Sequence, residues 1–117
     1  MCTLTWWRES AERFEVFFSR DEKKTRSRAV EPRRCEVEGV RYLSPQDPDA
    51  GGTWMVANEQ GVVVCLLNRW HDRIDVPEPV RSRGLLVEAM AGMENVPAVE
   101  EQLRSEDLTH VQPLTLV

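Results

Sequence analysis

The alternation of apolar and polar positions changes period several times along the chain, and each change predicts an element. Thr3, Trp6 and Trp7 in CTLTWW predict a strand beginning at the second residue, because β-branched and aromatic side chains suit a pleated, half-buried surface. A polar reversal follows over Glu9 to Glu12. Arg13 to Ser19 (RFEVFFS) then alternates before turning apolar at Val16, Phe17 and Phe18, which predicts a second strand paired antiparallel to the first. Arg20 and Asp21 fall where this strand ends, a place from which side chains are free to face a site. Lys23 to Pro48 reads as loop, interrupted by one short strand over Val37 to Leu43 around Gly39, and Pro45, Pro48 and the Gly51-Gly52 pair predict a turn.

Thr53 to Ala57 (TWMVA) and Val62 to Leu67 (VVVCLL) predict a hairpin, joined by Asn58, Glu59, Gln60 and Gly61. The second of these strands is apolar at successive positions, so both its faces are expected to be covered. After Pro77 and Pro79, Ser82 can cap a helix running through Met90, with Leu85, Leu86 and Ala89 on its inner stripe. A second helix is expected over about Val96 to Arg104, with Pro97 at an early position where a missing N–H is harmless and Val99 and Leu103 facing inward. Pro113 to Val117 (PLTLV) reads as a strand whose neighbour is absent, as though the chain stops inside a sheet. The whole predicts an α+β fold with antiparallel sheets.

Length and composition narrow this further. At 117 residues, with no repeat and no low-complexity tract, residues 1–117 are read as a single domain with one core. A chain with 41% hydrophobic and 30% charged residues is neither disordered nor a disulfide scaffold. No apolar run approaches the roughly 18 residues of a membrane span. MCTLTWWRESAER lacks the basic and apolar segments of a secretory signal, so a cytoplasmic location is expected. Cys2, Cys35 and Cys65 show no CxxC spacing and read as free thiols, and no metal or cofactor is expected. A net charge of -5 and a pI near 5.1 argue against nucleic acid as the main partner. The stretch from Arg20 to Arg34 is locally basic; it reads as a solvated loop, with an anionic ligand as the sharper alternative.

Cys2 is the most informative single residue. A methionine followed by a small side chain is usually excised, and Cys2 would then be the first residue. A cysteine there carries its own general base, since a free α-amine titrates at about 7.7 to 8.0 and a free thiol at about 8.5. No histidine is then required, and His71 and His110 lie in polar, loop-like segments. Gly51-Gly52 lacks the Lys-Ser/Thr of a phosphate loop and reads as a turn or close-packing device.

Four ordered motifs, MCTLTWWR, FFSRDE (Phe17 to Glu22), DAGGTWMVANEQGVVVCLLNR (Asp49 to Arg69) and SRGLLVEAM (Ser82 to Met90), span nearly the whole chain. Together they resemble the family named for its Asn-Arg-Asp-Glu motif, the NRDE family, which includes the transport and Golgi organisation protein 2 group. The resemblance implies a branch of the N-terminal nucleophile (Ntn) hydrolases similar to penicillin V acylases, with αββα layers. In those amidases a terminal cysteine attacks a carboxamide, an arginine and an aspartate after the second strand assist, and an asparagine lies in the oxyanion hole. Carried over by motif, these are Cys2, Arg20, Asp21 and Asn68, acting on a small-molecule substrate.

This sequence departs from the pattern in two ways. Ser19 stands where the family motif has asparagine, and Lys23 stands where the acylases place their acid, which leaves Asp21 and Glu22 as competing candidates. Family members also run on well past this length, so the chain is expected to be the N-terminal part of an incomplete layered fold. Two other readings follow. Eukaryotic relatives are linked to haem or lipid handling, which implies a binding module with Trp6, Trp7, Trp54 and Trp70 lining an apolar pocket. The other treats the chain as an incomplete fragment with no independent activity, whose exposed strand edge at Pro113 to Val117 would offer a second copy a place to pair.

Overall fold

In a computed structural model, residues 2–117 are described. They form two antiparallel sheets and two helices, an α+β arrangement. Strands β1 (Thr3–Arg8) and β2 (Phe14–Ser19) pair along their full length, with Trp6 opposite Val16. The second sheet runs β3 (Val30–Val37), β4 (Val40–Gln46), β5 (Met55–Asn58), β6 (Val63–Asn68) and β7 (Leu114–Leu116), in that order. Helices α1 (Arg83–Ala89) and α2 (Val96–Ser105) lie close to their expected positions, capped by the Ser82 hydroxyl and the Asn95 side chain.

β6 organises these pieces. On one face Val64 and Leu66 join Val56 in the core with Val87, Met90 and Ala91, while on the other Cys65 lines a groove with Leu4 and Trp6 of the opening hairpin. The successive apolar residues of this strand are therefore covered on both sides, as expected. A seven-residue helix such as α1 is too short to persist by propensity. It is held by Leu86, Val87 and Met90, all fully buried, each contributing about 1.5–3 kcal/mol of burial free energy.

Four expectations are corrected. Lys23 to Pro48 is not loop with one short strand: it contains β3 and β4, joined at Glu38 and Gly39, both of positive φ. β3 is an edge strand exposed along most of its length and broken in register near Pro32, so no period of two survives in its sequence. The stripe of α1 is Leu86, Val87 and Met90, whereas Leu85 is exposed. The 113–117 strand does have a neighbour, for β7 pairs with β6, placing Leu116 opposite Leu66. Finally, the Arg20 to Arg34 stretch is not a solvated loop, because Arg20 and Arg26 are half-buried in ion pairs and Arg33 and Arg34 belong to β3.

Candidate functional site

The ends of several elements meet at one cavity of about 550 Å³. Cys2 precedes β1, Arg20 and Glu22 follow β2, Asn68 ends β6, and Arg83 opens α1; all five line it. Two glycines allow this convergence. A side chain on Gly52 would place its Cβ 2.5 Å from the Gly84 carbonyl carbon, and one on Gly84 would come 2.7 Å from the Thr53 carbonyl oxygen. Only bare backbone lets α1 approach the segment before β5 so closely, and the Thr53 N–H donates to the Gly84 carbonyl across the junction.

Arg20 is fixed from three directions. Its Nη2 donates to Asp47 Oδ2 at 2.7 Å and to Glu22 Oε2 at 2.9 Å, and its guanidinium lies 4.3 Å from the centroid of the Trp54 ring. Arg26 donates to the same Asp47 oxygen, while Asp47 Oδ1 accepts the N–H groups of Asp49 and Ala50. Burial alone would raise the Asp47 carboxyl, but the Arg26 hydrogen bond and the two backbone donors outweigh it and hold the group below its ordinary value. The same Asp47 hydrogen bond raises Arg26.

Arg83 is the second cation of this kind. Its guanidinium lies 5.3 Å from the Trp70 ring centroid and its Nη1 donates to the Pro113 carbonyl at 3.2 Å. Burial, and then the nearby Arg73, pull Arg83 below its ordinary value, opposed by its interaction with Cys2.

Of the residues singled out from sequence, the structure brings Cys2, Arg20 and Asn68 to the cavity. Asp21 is exposed and lies outside the lining, whereas Glu22 is within it. The four tryptophans do not share a pocket: Trp54 and Trp70 line the cavity, Trp6 lines the groove beside Cys65, and Trp7 lines neither. Cys65 is buried, which pushes its thiol up to about 11. Neither His71 nor His110 lines the cavity, and no cluster of three metal-binding side chains occurs among the described residues. Asp47 and Arg83 were not anticipated. The one signal for Asp47 was the basic stretch itself, whose arginines need acids to be half-buried.

The sequence model of the family described as Transport and Golgi organisation 2 matches residues 1–117. The chain belongs to that family. This agrees with the resemblance carried by the four motifs, which lie on β1, the end of β2, the β5–β6 hairpin and α1. No curated protein and no solved structure gives a significant match. No helix among the described residues of this Transport and Golgi organisation 2 family member is long and apolar enough to cross a membrane.

Proposed function

We propose that this chain is an N-terminal-cysteine amide hydrolase, acting on a carboxamide of a small molecule in the reducing cytoplasm. The observation that carries the reading is the convergence of Cys2, Arg20 and Asn68 on one cavity from three separate elements. After removal of Met1, the α-amine of Cys2 takes the thiol proton, and the sulfur attacks the carboxamide carbon. The Asn68 amide donates to the oxyanion that forms. Collapse of the tetrahedral species expels the amine, which takes the proton back, and leaves a thioester on Cys2. Water then cleaves the thioester, releasing the acid and restoring the thiol.

The role given to Arg20 is local: although paired with Asp47 and Glu22, its guanidinium is held at the cavity, where a nearby cation favours the sulfur anion. The resemblance gives the orienting of the α-ammonium to Asp21, with Glu22, which lines the cavity, as the competing carboxylate. The test is release of a chromogenic amine from an acyl anilide. Cys2→Ala should abolish it, and Asn68→Ala should lower kcat by about 10²–10³-fold. Turnover that survives Cys2→Ala would end the proposal.

A second reading, non-covalent capture of a flat or apolar ligand, is favoured by Trp54 and Trp70 in the same cavity. Under it, Cys2→Ala leaves ligand affinity unchanged and no amide is cleaved.

A further inference from the structure

Four arginines and two carboxylates line the cavity: Arg20, Arg26, Arg81 and Arg83 against Glu22 and Asp47. Three of the cations are neutralised in place. Arg20 and Arg26 share Asp47 and both approach Glu22, and Arg81 Nη1 donates to Glu106 Oε2 at 2.8 Å. Among the described residues Arg83 makes no salt bridge and one hydrogen bond, from Nη1 to the Pro113 carbonyl, which leaves Nε and Nη2 uncommitted there. A half-buried guanidinium with two spare donors and no counter-ion among the described residues is matched by a bidentate acceptor such as a carboxylate.

Its surroundings point the same way. Trp70 backs the guanidinium and limits its freedom, so the fork is presented in a defined plane. Cys2 lines the same cavity. The volume, about 550 Å³, fits a small molecule rather than a polymer.

We propose that Arg83 is a specificity-determining residue that binds a carboxylate on the substrate, so that the molecule processed is a small amide carrying an acid group. This deepens the hydrolase reading and rests on it for the word substrate, but the anion site can be tested by itself. Phenylacetate and phenylacetamide have the same shape and differ in charge. Each is titrated into the full chain, following the side-chain Nε–H resonance of Arg83 by NMR.

Phenylacetate should shift that resonance and bind about tenfold more tightly than phenylacetamide. Arg83→Gln should bring the two affinities together, Arg83→Lys should restore part of the gap, and Cys2→Ala should leave it intact. Equal affinities in the unaltered chain, or binding that leaves the Arg83 resonance in place, would overturn the proposal without need of a variant. Carboxylate preference with an inert Cys2 keeps the anion site and removes the hydrolase; a reactive Cys2 with no such preference does the reverse.

Discussion

Arg20 Nη2 stands 2.7 Å from Asp47 Oδ2, joining the end of β2 to the segment after β4 across 27 positions of sequence. The two side chains are 15% and 14% exposed, so this pair is shielded enough to matter. Asp47 is thus a positioning residue: it holds a cation that lines the cavity together with Cys2, and it is itself held by Arg26 and two backbone N–H groups.

Asp47→Asn should therefore cost about 1–3 kcal/mol, less than a fully buried pair because some solvent reaches the cluster. It leaves Arg20 and Arg26 facing each other with one anion fewer. Urea denaturation reads the cost, and an unchanged midpoint would show that the cluster adds nothing to stability.

This cluster and the separate Arg81–Glu106 pair set a pH dependence. Asp47 and Glu106 are both held below their ordinary values of 3.8 and 4.5, Glu106 chiefly by hydrogen bonds from Arg81 and Gln102. A carboxyl that is more acidic when folded stabilises the protein fully above its unfolded value, and that contribution is lost as pH falls through the folded one. Melting temperature should hold steady from neutral pH to about pH 5 and fall below about pH 4.5. In Asp47→Asn the fall should be shallower.

Gly84→Ala tests the close approach of backbones. The new methyl would meet the Thr53 carbonyl oxygen at 2.7 Å and the Thr53 nitrogen at 2.9 Å, neither of which is the end of a flexible side chain. A loss of about 1–3 kcal/mol is expected, with the cavity wall displaced. Gly39→Ala is a control of another kind, since open space surrounds Gly39 and only its φ of 82° is at issue. A Gly84→Ala protein as stable as the parent would contradict the packing described.

Much of this was legible in sequence where one physical signal dominated. The β5–β6 hairpin declared itself because VVVCLL is apolar throughout and Asn58 to Gly61 is a turn; the Asn58 side chain accepts from Gln60 and Val62 and donates to the carbonyls of Ala91 and Met93, tying the turn to the segment after α1. The cap of α1 was readable from Ser82 and the start of α2 from Pro97, whereas Asn95, which caps α2, was not singled out. β3 was not, because an exposed edge strand carrying Pro32, Arg33 and Arg34 has the composition of a loop. Three residues of the cavity, Cys2, Arg20 and Asn68, were reached through motifs rather than through pattern. Asp47 and Arg83 were out of reach because their roles come from long-range pairing: the partners of Arg83 are Trp70 and Pro113, which no local period connects.

The thiol chemistry separates the three cysteines. Cys65 is buried and shifted up to about 11, so at neutral pH the folded protein should resist iodoacetamide there, and the label should reach Cys65 only after denaturation. Peptide mapping of the alkylated chain checks this; rapid native labelling of Cys65 would mean that β6 is not covered by the opening hairpin.

Intact mass before and after exposure to an acylating ester at neutral pH tests the central claim most directly. The account predicts a chain without Met1 that gains one acyl group, mapped to Cys2, and a Cys2→Ala chain that gains none there. A chain that keeps Met1, or one whose Cys2 stays unmodified while the protein remains folded, would contradict it.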